Sequence, residues 1–77
     1  MDLNQFPERL RARVLAGIVR NSRVGIAIRL GRLDGETLSL RVSQEAPAVR
    51  PLPPAELEQV ARTTFATLPY ELRIQVG

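Results

Sequence analysis

Apolar positions recur along the chain with two different periods, and the switches between them lay out the elements. Phe6, Leu10, Val14 and Ile18 fall four apart, with Leu15 and Val19 widening the stripe, which predicts a helix over about 4–20. Asn4 suits an N-cap, and Pro7 suits the first turn, where a missing amide donor costs nothing. Arg9, Arg13 and Arg20 fall on the opposite side. Arg11 projects from within the apolar arc, so it must snorkel to the edge or meet a carboxylate there.

From Val24 the period drops to two. Val24, Ile26, Ile28 and Leu30 alternate with small or charged residues, and Leu38, Leu40 and Val42 alternate with Thr37, Ser39, Arg41 and Ser43, predicting a hairpin over about 24–43. A two-residue turn at Asp34-Gly35 would put the two apolar sets on opposite faces. Parity therefore predicts a three-residue loop, Leu33-Asp34-Gly35, with Gly35 at the left-handed position of a G1 bulge. Leu30 then pairs with Leu38, Ile28 with Leu40 and Ile26 with Val42.

Prolines at 47, 51, 53 and 54 predict a stiff, extended connector over 44–53. Arg50-Pro51-Leu52-Pro53-Pro54 is similar to the proline-rich ligands of SH3 grooves, but the match is short and Pro54 already opens the next helix. That helix spans about 54–68, burying Leu57, Val60, Ala61, Phe65 and Leu68 and stopping before Pro69. A last strand at about 70–76 alternates Tyr70, Leu72, Ile74 and Val76 with Glu71, Arg73 and Gln75.

The order α-β-β-α-β makes residues 1–77 a single α+β domain of two layers, with both helices on one face of a three-stranded antiparallel or mixed sheet. A right-handed crossover is expected to set the third strand beside the first and antiparallel to it, giving spatial order 2-1-3. At the level of topology alone, this order resembles the ring-building modules of secretion and sporulation assemblies. It also loosely resembles RNA-binding KH modules, but the chain has no Gly-x-x-Gly clamp; Gly31 and Gly35 belong to the hairpin.

Composition narrows the chemistry sharply. The 77 residues contain no cysteine, no histidine and no lysine, so a disulfide framework, a thiolate metal site and the usual general bases are excluded. The serines and threonines have no basic partner, the carboxylates are scattered, and no Gly-rich phosphate cradle or nucleophile elbow occurs. The chain reads as a non-enzyme without cofactor or metal.

The eleven basic residues are all arginine, and they give a net charge of +3. A GC-rich genome also produces such a bias, so position matters more than count. Guanidinium groups grip phosphate or carboxylate in a two-pronged way. Arg29, Arg41 and Arg73 share the sheet face opposite the helices with Gly25, Ala27, Gly31, Thr37, Ser39, Ser43 and Gln75, and form the candidate interaction surface. The expected register sets Ala27 opposite Arg41 and leaves Arg29 and Arg41 as diagonal neighbours, with Glu71 as the carboxylate placed to offset them. Phe6, Phe65 and Tyr70 all have core parity, so this face offers nothing on which bases could stack.

These features predict a small non-catalytic protein-interaction or assembly module. A core this small favours self-association, through the open edge of the third strand or through the open sheet face. An arginine-dependent nucleic-acid binder is the alternative. No apolar run is long enough for a membrane span, and Met1-Asp2-Leu3-Asn4 does not look like a signal peptide, so the expected location is cytoplasmic.

Overall fold

Pro7 divides the N-terminal segment in two. The structure, a computed structural model, describes residues 1–45 and 50–77; the expected extended course of 46–49, Pro47 included, lies outside the described residues. A residue before proline is pushed out of the helical region, and Phe6 is indeed extended at φ −85° and ψ 150°. A 3-10 turn, Leu3–Gln5, therefore precedes the break, and helix α1 runs Glu8–Ser22 rather than from Asn4. The cap falls to Asp2, whose carboxylate accepts from the Asn4 amide at 3.1 Å, and Pro7 stands just before the helix instead of in its first turn. Arg11 meets no carboxylate: its Nε donates to the Phe6 carbonyl at 3.1 Å, stitching the helix to the break.

The buried stripe of α1 is Leu10, Val14, Gly17 and Asn21, with Ile18 half-buried. Leu15 and Val19 do not widen it; they remain 48% and 40% exposed. Asn21 sits in the stripe because it bridges to the second helix. Its Nδ2 donates to the Gly17 carbonyl and to the Thr64 hydroxyl, each at 2.9 Å, and Thr64 in turn donates to the Val60 carbonyl at 2.7 Å.

Strand β1 (Ile26–Asp34) pairs antiparallel with β2 (Thr37–Gln44), but not in the expected register. Asp34 pairs with Thr37, so the turn holds two residues, Gly35-Glu36, with Gly35 at φ 61°. Glycine at a positive φ in the first central position is the requirement of a II′-type hairpin turn. The parity conflict is resolved inside β1. Leu30 pairs with Leu40 and Arg32 with Ser39, leaving Gly31 as an extra, bulged residue. Leu33 then pairs with Leu38 and joins Leu30 against the core.

Helix α2 spans Pro54–Thr64, ending before the expected Leu68, and turns carry the chain through Phe65 and Leu68 into β3, Glu71–Val76. Gln44 clasps the described part of the connector, donating to the Arg50 carbonyl at 2.9 Å and accepting from the Leu52 amide at 2.8 Å.

β3 lies beside β2 and parallel to it, so the sheet order is β1-β2-β3 and not 2-1-3. The β2–α2–β3 segment forms an ordinary crossover between neighbouring parallel strands, and the connection exceeds the dozen or so residues this needs. Burial explains why β2 is central: Leu38, Leu40 and Val42 are all essentially inaccessible, whereas β1 carries a bulge that suits an edge. Helix α1 covers β1, and α2 covers β2 and β3. Phe6, Val14, Phe65 and Ala61 fill the layer between, with Phe6 and Tyr70 rings 5.9 Å apart. Among the described residues, no helix is long and apolar enough to cross a membrane.

Candidate functional site

Among the described residues no helix lies over the second face of the sheet, and it displays its side chains in cross-strand rows. The pairings place Asp34, Thr37 and Glu71 in the row nearest the hairpin turn. Arg32, Ser39 and Arg73 form the next row, and Arg29, Arg41 and Gln75 the one after. Ala27 and Ser43 follow. Strands lie about 4.8 Å apart and alternate residues along a strand about 6.6 Å apart, so four guanidinium groups share two adjacent rows.

The expected diagonal relationship of Arg29 and Arg41 is replaced by direct opposition, because the two-residue turn and the bulge together move the partner of Arg29 two residues along β2, from Ser39 to Arg41. Like charges directly opposite on neighbouring strands are unfavourable. Arg41 relieves part of this by donating from Nη2 to Gln75 Oε1 at 3.2 Å. Glu71 stands opposite Thr37 at the turn end and does not neutralise the arginines. Among the described residues the one ion pair within 4.0 Å is Arg62–Glu58, on the exposed side of α2. The four sheet arginines therefore have no carboxylate partner there.

Between the arginines the face is hollow. A shallow concavity of about 330 Å³ is lined by Arg29, Gly31, Ser39, Arg41 and Gln75, with Leu30 and Leu40 beneath. Its floor is low because Gly31 and Ser39 contribute little side-chain bulk. The same glycine makes the bulge possible, since a Cβ there would stand 3.1 Å from the Ser39 carbonyl oxygen.

The structure brings together Arg29 and Arg41 and places Arg73 one row away, so all three expected residues share the site. Arg32 was not expected there. Under unbroken alternation it would point into the core, which is itself the overlooked signal: a charged residue with core parity, followed by Leu33 with open-face parity, marks a slip between Leu30 and Arg32. Among the described residues, no three histidine, cysteine, aspartate or glutamate side chains come together as metal ligands would. Comparison of the chain with protein-family models, curated proteins and solved structures found no match.

Proposed function

We propose that this chain is a non-catalytic protein-interaction module whose open sheet face receives an acidic segment of a partner protein. The observation that carries this reading is Arg29 directly across from Arg41, with Arg32 and Arg73 in the next row and no carboxylate paired to any of the four among the described residues. Such a cluster costs the isolated fold repulsion and gains most from a multivalent anion. Carboxylates suit it in three ways. Each guanidinium can grip one in a two-pronged manner. The hollow floor at Gly31 and Ser39 lets an extended backbone come close. The acidic row of Asp34 and Glu71 ends the cationic patch after two rows, which favours a short acidic stretch over a long phosphate backbone.

A single-stranded nucleic acid is the competing ligand, and the face gives it no aromatic surface for its bases. Titration of the labelled protein with a glutamate-rich peptide, followed by NMR of the arginine Nε–H groups, tests the reading. Shifts at Arg29, Arg32, Arg41 and Arg73 are expected. Silence at those four groups, or tighter binding of an oligonucleotide than of the peptide, would overturn it.

A further inference from the structure

Among the described residues the outer edge of β3 is open, and the hydrogen bonds to β2 show which groups it exposes. The Glu71 amide donates to the Glu36 carbonyl at 2.7 Å, and the Gly77 amide to the Val42 carbonyl at 3.1 Å. In a parallel ladder the residues turned toward the neighbour alternate, so Glu71, Arg73, Gln75 and Gly77 face β2. The amides and carbonyls of Leu72, Ile74 and Val76 point away from the sheet and find no partner in it. Their side chains lie on the helix-covered face but are only half-buried, in contrast to Leu38, Leu40 and Val42 on β2.

Two edges end this sheet, and they are guarded differently. β1 is bent by the Gly31 bulge, and its Ile26 and Ile28 are fully covered by α1. β3 has no bulge and no proline, and its apolar side chains still expose area that another strand could cover.

We propose that β3 pairs with β3 of a second copy of this chain, antiparallel, about a two-fold axis through Ile74. This rests on the reading of the chain as an interaction module, but not on its arginine face. Parity and charge select the register. The outward-facing residues must meet one another, which allows pairings centred on Ile74, on Leu72, between Leu72 and Ile74, or between Ile74 and Val76. Centring between Leu72 and Ile74 sets Arg73 against its own copy, a like-charge pair. Centring on Leu72 leaves Ile74, Gln75 and Val76 beyond the partner strand, and centring between Ile74 and Val76 leaves Glu71, Leu72 and Arg73 beyond it. Centring on Ile74 pairs Leu72 with the second copy's Val76 and Arg73 with its Gln75, and uses Leu72 to Val76 of each strand, with Glu71 opposite Gly77. Isologous pairing closes at two copies and covers both edges of this kind. It also joins the two arginine faces into one continuous surface.

Sedimentation velocity on the full chain across the micromolar range is the test, with Gln75→Arg and Gln75→Glu as register probes. Gln75 is exposed on the open face, so both variants should fold, which a thermal melt checks. A species of twice the 8.6 kDa monomer mass is expected. Gln75→Arg, placed against Arg73 twice by the symmetry, should weaken the dimer about fivefold, and Gln75→Glu should strengthen it by a similar factor. In the register centred between Leu72 and Ile74 the two effects reverse, because position 75 then meets Glu71; centred on Leu72, neither variant acts. Centred between Ile74 and Val76, position 75 meets its own copy and both variants weaken the dimer. Reversal, indifference, weakening by both variants, a monomer throughout, or growth beyond two copies would each overturn the proposal. A monomer that still binds the glutamate-rich peptide would end this inference alone, whereas loss of peptide binding with the dimer intact would end only the reading of the arginine face.

Discussion

Gly31 approaches Ser39 so closely that a Cβ at position 31 would stand 3.1 Å from the Ser39 carbonyl oxygen. That contact is to backbone held in the central strand, which cannot easily give way. Gly31→Ala should therefore lower stability by about 1 kcal/mol, despite alanine's better strand propensity, because the added methyl forces the strands apart. Thermal unfolding checks this. A variant melting at or above the wild-type temperature would show that the bulge does not need glycine.

The turn makes a second, separate demand. Gly35 holds φ 61° in a loop of only two residues, and a β-branched residue is strongly disfavoured there. Gly35→Val should cost more than about 1 kcal/mol, and D-alanine at the same position should be tolerated. Equal losses for both substitutions in urea unfolding would contradict the II′-type geometry.

Between the helices, Asn21 is the one buried polar side chain in the described core, and Thr64 takes one of its two amide hydrogens. Thr64→Val keeps the shape but leaves that donor unsatisfied, so a loss of about 1–2 kcal/mol is expected, with Thr64→Ser recovering most of it. Chemical denaturation of the two variants provides the comparison. An unaffected Thr64→Val protein would mean that the bridge contributes nothing to holding α1 against α2.

Much of this architecture is legible from alternation alone. The two helices, the hairpin, the last strand and the one-sided sheet all follow from which positions are apolar, because a single face of each element must be buried. What alternation does not encode is adjacency. Leu72, Ile74 and Val76 would face the core equally well beside β1 or beside β2, and only the complete burial of Leu38, Leu40 and Val42 distinguishes the central strand. The register failed for a local reason: parity changes sides between Leu30 and Leu33, and the change can be absorbed by a longer turn or by an internal bulge. Arg32 at core parity and Gly31 beside it favour the bulge. The candidate site inherited that error. Alternation alone puts Arg29, Arg41 and Arg73 on one face, as the pairings do, but their mutual positions, and the presence of Arg32 among them, depend on the bulge.

Binding of an acidic segment by the paired arginines of the open face is the central functional proposal. The most direct measurement is the affinity of a fluorescent glutamate-rich peptide for the wild-type chain and for Arg29→Gln/Arg41→Gln, each across a salt series. Both positions are exposed, so the double variant should melt no lower than wild type, and relief of the like-charge pair should raise its stability slightly. Wild-type binding should weaken steeply with salt, and the double variant should lose at least about tenfold in affinity at low salt together with most of that salt dependence. Equal affinities for the two proteins, with equal salt slopes, would contradict the account.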